Sequence, residues 1–239
     1  MNTRNLFTKG LAAILMTIGL SSVSHAVLIT TNGVFTNLVG TGALIGNVQG
    51  DNTNLVSWGN GTTAGSNEQS SWEYNGLTNF LVDINNPSFN FGSFTHTNRP
   101  ITSAGSFTAD FVVNVLITTD DGLDTLANET FTYGFLHDET LNREPCTPFL
   151  AGNVCPDVVS VPDASEQIVF LLGADRYLDI VGFLPSGGGT IIPELVTGEN
   201  TDQTAGLIGG FVNVSEPGTL GLLAISLFCL SSLRRRVNS

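Results

Sequence analysis

The sequence predicts an all-β chain, a single antiparallel β-sandwich or jelly roll, flanked by an N-terminal signal peptide and a C-terminal membrane-anchor helix. Three observations carry this. Stretches between Val27 and Val214 alternate apolar and polar residues with period two, and none sustains a helical period. Glycine is abundant at 27 while charged residues reach only 12%, a balance that suits turn-rich β structure. Long charge-free apolar runs occur at the two ends of the chain, where they read as targeting segments. The domains follow: 1–26 signal peptide, 27–214 ectodomain, 215–239 sorting and anchor segment.

At the N-terminus Arg4 and Lys9 precede the apolar run Gly10 to Leu20, and small residues follow up to Ser24-His25-Ala26. Basic, apolar, then small-x-small is the layout of a secretory signal, with cleavage by signal peptidase expected after Ala26. The ectodomain that remains, about 190 residues, is long enough for one β domain with a real core. The segment from Val27 to Pro217 holds all 21 carboxylates against three cations, Arg99, Arg143 and Arg176, which leaves a net charge of −18. Such a surface repels nucleic acid and anionic lipid and keeps an extracellular protein soluble.

Along the ectodomain the expected strands are Leu55–Trp58, Ser71–Tyr74, Phe89–Thr95, Phe107–Ile117, Thr130–His137, Gln167–Leu172, Tyr177–Phe183 and Gly206–Val214. Phe107–Ile117 has apolar residues at every odd position and is expected to become fully buried towards its end. Phe131, Tyr133 and Phe135 should share one face, and Thr119 to Thr125 should close a hairpin between these two strands. Pro185 to Gly189 reads as a turn inside the domain. Gly40 to Gly46 has neither the spacing nor the setting of a dinucleotide loop.

Cys146 and Cys155 flank a stretch rich in Pro, Gly and Asn; an even number of cysteines in an exported domain reads as a disulfide. Their spacing is neither C-x-x-C nor a four-ligand zinc pattern. Asp120, Asp121 and Asp124 crowd the hairpin turn, where calcium is the conceivable ligand and a solvated tip the blander reading. No other cofactor is expected.

His96 and His137 are the only histidines after the expected cleavage, and neither lies in a nucleophile or metal motif. His96 and Asn98 are two apart, hence on one side of an extended segment. There they would either fix the turn before Pro100, by bonding a loop carbonyl, or ligate a metal with a nearby carboxylate. Trp58, Trp72 and Tyr74 are core residues or, if exposed, a platform on which sugars could stack.

The tail runs Ser215-Glu216-Pro217-Gly218, then the charge-free apolar stretch Thr219 to Leu233, then Arg234-Arg235-Arg236. A helix here would be held in lipid with its arginines on the cytoplasmic side. Glu216, Pro217 and Gly218, the apolar stretch and the arginines resemble the tail of PEP-CTERM proteins, with Ser215 where that family has its first proline. Thr95-His96-Thr97-Asn98, followed by Pro100-Ile101, resembles the Thr-His-x-Asn motif of a PEP-CTERM family related to choice-of-anchor K domains. The resemblance extends loosely from the Asn54–Gly59 segment to the cysteine pair. It implies recognition by an exosortase-type transpeptidase of a Gram-negative bacterium, transient residence at the inner membrane, and final delivery to the cell surface or extracellular matrix, with extracellular polysaccharide as a partner. The expected function is a non-enzymatic surface or matrix protein; a carbohydrate-binding module is the alternative, and a secreted hydrolase a third for which no catalytic arrangement stands out.

Overall fold

The computed structural model describes residues 26–44, 48–59, 69–86, 88–101, 105–140, 155–163, 168–171 and 174–213. The expected signal core, Cys146, Glu216 to Gly218, the apolar run Thr219 to Leu233 and Arg234 to Arg236 lie outside them. Among the described residues no helix is long and apolar enough to cross a membrane.

The strands, in chain order, are β1 (Ala26–Gly40), β2 (Val48–Gln49), β3 (Leu55–Trp58), β4 (Ser70–Gly76), β5 (Phe80–Asp83), β6 (Phe89–Asn98), β7 (Gly105–Thr119), β8 (Thr125–Glu139), β9 (Asp157–Asp163), β10 (Ile168–Leu171), β11 (Ala174–Pro185), β12 (Glu194–Thr197) and β13 (Thr201–Asn213), with one short 3-10 turn at Gly42–Leu44. They form two antiparallel sheets, a six-stranded one in the order β12-β9-β8-β7-β1-β5 and a seven-stranded one in the order β10-β11-β13-β6-β4-β3-β2. The all-β expectation holds.

Period-two patterning drives the packing. On β7 the odd residues from Phe107 to Ile117 are buried, and on β8 Phe131, Tyr133 and Phe135 follow the same phase. One expectation needs correction: β7 does not become fully buried at its end. Leu116 and Thr118 stay half-buried and Asn114 is exposed, because β1 and β8 pair along its edges and leave its outer face uncovered.

The inner faces meet through aromatic rings. Phe35 of the first sheet lies 5.7 Å from Trp72 and 6.3 Å from Phe94 of the second, centroid to centroid. Trp58 and Trp72 are 0% exposed and Tyr74 1%, so all three are core and offer no stacking platform. Burial on this scale is the main source of stability, each large ring being worth about 3–5 kcal/mol against alanine.

The expected hairpin between β7 and β8 is present, closed by Gly122 N–H to the Thr119 carbonyl at 2.8 Å. Leu55–Trp58 is β3, and the remaining expected strands fall within β4, β6, β10, β11 and β13, with Gln167, Leu172 and Val214 outside the described residues. Gly188 N–H bonds to the Pro185 carbonyl at 2.9 Å, so the turn expected there is also present. β1, a central strand of the first sheet, was not anticipated, nor were β2, β5, β9 and β12.

The feature that positions the functional residues is a bulge in β6. Phe89 and Phe91 point inward; after Gly92 the phase flips, and Phe94, His96 and Asn98 point inward instead. A Cβ on Gly92 would come within 2.6 Å of the Tyr74 ring, and one on Gly76 within 1.9 Å of the Thr31 carbonyl oxygen. Both positions are therefore held open for Tyr74 and Thr31.

Candidate functional site

At one end of the two sheets the inward phase of several strands turns polar. On β8 the series Phe131, Tyr133, Phe135 continues as His137 and Glu139; on β6, Phe94 continues as His96 and Asn98. All four polar residues are buried. Asp157 opens β9 and is paired with Thr197 of β12, so it is buried among these groups. Glu199 joins from the turn that carries the chain from β12 to β13, and hence from one sheet to the other.

The polar atoms converge. One ligating atom from each of His96, His137 and Asp157 lies within 4.8 Å of the others, and the same holds for Glu139, Asp157 and Glu199. His137 Nε2 is 3.2 Å from Glu139 Oε2 and 3.9 Å from Asp157 Oδ2. The His96 and His137 rings stand edge to face, 5.3 Å apart. Trp58 lies 4.5 Å from the His137 ring, which walls the cluster on the apolar side.

Some of these groups are held. The Trp58 indole N–H donates to Glu139 Oε2 at 2.7 Å, the Thr140 N–H to Asp157 Oδ1 at 2.9 Å, and the Asn98 amide to the Thr197 carbonyl at 3.0 Å. That last bond ties β6 to the end of β12 rather than to the turn before Pro100. Other atoms meet no amide or hydroxyl partner: both nitrogens of His96, His137 Nδ1, Glu139 Oε1, Asp157 Oδ2, Asn98 Oδ1 and both Glu199 oxygens. Glu139 and Asp157 bond each other when one of the two carries a proton. The Trp72 indole N–H is likewise without an acceptor. A buried polar atom without a partner costs about 1–3 kcal/mol, so a concentration of them in one place calls for an explanation.

Burial and crowding shift the protonation states. Asp157 is pushed up to about 9, first by desolvation and then by the neighbouring Glu139. Glu139 rises to about 7, chiefly through desolvation, against which its hydrogen bonds with Asp157 and then Trp58 act. Glu199 is also raised to about 7 by desolvation and by Asp157. Desolvation drives both histidines down, His137 to about 3 and His96 well below its ordinary value with His137 adding to the shift. The set is therefore two neutral imidazoles beside carboxyl groups that hold protons near neutrality.

Of the residues singled out from the sequence, His96 and Asn98 belong to this cluster, whereas Thr95 points outward and bonds Thr204 Oγ1 at 2.9 Å. His137, like His96, lies in no motif, and the sequence does not single out Glu139, Asp157 or Glu199. The available signal was polar residues continuing a buried phase, as His137 and Glu139 do after Phe135. Asp120, Asp121 and Asp124 lie exposed on the β7–β8 turn. Asp121 is spent on that turn, accepting from Thr119 Oγ1 and the Leu123 N–H, which lowers its pKa. Cys155 is buried two residues before Asp157. No protein-family model and no curated protein matches the sequence.

Proposed function

We propose that this chain is an exported surface or matrix protein, sorted by an exosortase-like system, whose β-sandwich or jelly-roll ectodomain is a non-enzymatic module. The observation that carries the reading is the order of segments along the chain: basic and apolar N-terminus, Ser24-His25-Ala26, acidic β domain, Glu216-Pro217-Gly218, apolar run, three arginines. The fold is compatible with this order. β1 pairs from Ala26 onward, so signal cleavage after Ala26 would leave the ladder of a central strand intact from Val27. The polar cluster is sealed beneath aromatic rings, an arrangement that suits a structural role better than turnover of an external substrate. Burial of Trp58, Trp72 and Tyr74 removes the sugar platform on which a carbohydrate-binding reading would rest.

Expression in a Gram-negative host with an exosortase tests the proposal. The mature N-terminus should be Val27. Neutral replacement of Arg234, Arg235 and Arg236 should weaken membrane retention and misdirect processing. Deleting everything after Val214 should release the ectodomain to the periplasm or medium. Full-length protein accumulating as a stable soluble species in the cytoplasm would contradict the reading.

A further inference from the structure

We propose that His96, His137, Asp157 and Glu139 bind one divalent transition-metal ion, zinc foremost, between the two sheets, with Glu199 closing the site from the β12–β13 turn. The inference is independent of the export reading and rests on geometry.

The first support is the chemistry of the atoms left over. Those facing the gap are all of metal-ligand type: a buried histidine with neither nitrogen bonded, a second with Nδ1 unbonded, and carboxyl oxygens from three residues. A proton shared between Asp157 and Glu139 satisfies one oxygen of each and leaves His96 unserved. A cation in its place would engage those oxygens and the His96 lone pair together. His96 is wholly buried and unbonded, which for an imidazole in a folded core is costly unless something occupies its lone pair.

The second support is spacing. Two ligands each about 2.0–2.1 Å from a tetrahedral zinc are about 3.4 Å apart. His137 Nε2 stands 3.9 Å from Asp157 Oδ2, and its 3.2 Å contact with Glu139 Oε2 puts the second oxygen of that carboxyl beside the same gap. The remaining separation within the His96–His137–Asp157 set is no greater than 4.8 Å, so closing onto an ion asks for a shift of about 1.4 Å at most, within reach of side-chain rotation.

Orientation is the third. Ligating carboxylates are usually held through their other oxygen. Asp157 has Oδ1 fixed by the Thr140 N–H and leaves Oδ2 free; Glu139 has Oε2 fixed by the Trp58 indole and leaves Oε1 free. The charges also balance, since Asp157, Glu139 and two neutral imidazoles around a dication give no net charge while Glu199 holds its proton. Two imidazoles select a transition metal over calcium, which takes six to eight oxygens. The exposed Asp120–Asp124 turn has no histidine and one of its carboxylates already engaged.

The test uses the full chain in detergent, stripped with a chelator and then exposed in separate arms to zinc, manganese and calcium. Zinc should bind at one equivalent per chain and raise the melting temperature, and cobalt substituted for it should show the visible bands of a low-coordinate nitrogen–oxygen site. His96→Gln and Asp157→Asn should lose stoichiometric uptake while keeping the near-ultraviolet dichroism of the buried tryptophans. Trp58→Phe, which removes the bond to Glu139 and part of the ring that walls the site, should weaken zinc about 10–100-fold. Replacing Asp120, Asp121 and Asp124 together with asparagine should leave uptake unchanged. The proposal is overturned if folded wild-type chain takes up no zinc, if calcium alone stabilises it, if Asp157→Asn retains the ion, or if the turn variant loses it. Should both cluster variants fail to fold, the wild-type cobalt spectrum decides, and the absence of those bands overturns the site.

Discussion

Two buried polar groups occupy the same β domain on opposite terms. Around Tyr74, the hydroxyl lies 2.9 Å from both Thr31 Oγ1 and the Phe91 carbonyl oxygen, Thr31 Oγ1 stands 2.8 Å from that carbonyl, and the Leu77 N–H donates to Thr31 Oγ1 at 2.8 Å. Every donor there has an acceptor, and Gly76 and Gly92 keep the space open for it. Around His96 and Asp157 the reverse holds, with acceptors crowded together and few donors to serve them. A closed network fixes a fold, because it gains nothing from a further partner. An open one at the same depth is stable only with protons or a cation supplied. The contrast separates a structural corner from a candidate site where burial alone would not.

The largest expected effect joins the open network to the core. Trp58→Ala removes a fully buried ring and the donor to Glu139 together, so it should destabilise by about 4–5 kcal/mol in chemical unfolding. A loss below about 1 kcal/mol would mean that this end is not packed as described.

Next is the bridge that the sequence leads us to expect between Cys146 and Cys155. Cys155 lies two residues before Asp157, so the bridge would tether the start of β9 to the segment leaving β8. Its removal by Cys155→Ser should cost about 2–3 kcal/mol. Mass spectrometry of non-reduced peptides checks the pairing itself, and two free thiols in exported protein would refute it.

The comparison is sharpest in a matched pair of conservative substitutions on chelated protein. Tyr74→Phe should destabilise by about 1–2 kcal/mol at every pH, since it strips a donor from satisfied acceptors. Asp157→Asn should be neutral or stabilising above pH 7, because it relieves crowded carboxylates. Equal losses from the two variants would erase the distinction drawn between the clusters.

A smaller effect is the pH dependence of the chelated protein. Asp157, Glu139 and Glu199 have folded pKa values raised above their unfolded ones, so the stability they contribute is full in acid and lost as pH climbs through about 7 to about 9. His96 and His137 are depressed, so their contribution is lost as pH falls below their ordinary value. Between pH 7 and 9 the carboxyl groups alone act, and stability should fall by about 1 kcal/mol per unit. Asp157→Asn should flatten that slope, and bound metal should too, since it takes the place of the protons.

Much of the frame was legible in the sequence because it follows from alternation and turn chemistry. Phe107 to Ile117, Phe131 to Phe135 and the Asp-Asp-Gly turn between them read directly as a hairpin. β1 was not legible: Thr31, Asn32, Gly33, Thr36 and Asn37 dilute its apolar residues, and its place between β5 and β7 comes from long-range pairing. His96 and Asn98 were correctly put on one side of their strand. Their partners were not found, since Glu139, Asp157 and Glu199 are distant in sequence and are brought together by the β8–β9 pairing and the β12–β13 crossover. Motif spacing carries no trace of such a site; a polar residue in a buried phase does.

The most direct measurement of the account is the metal content of the intact chain purified from the exported fraction without chelator, read by mass spectrometry of the native protein. One zinc per chain in wild type, and none in folded Asp157→Asn, is the predicted result. A folded wild-type chain carrying no metal, whose mass and melting temperature do not change when zinc is added, would contradict it.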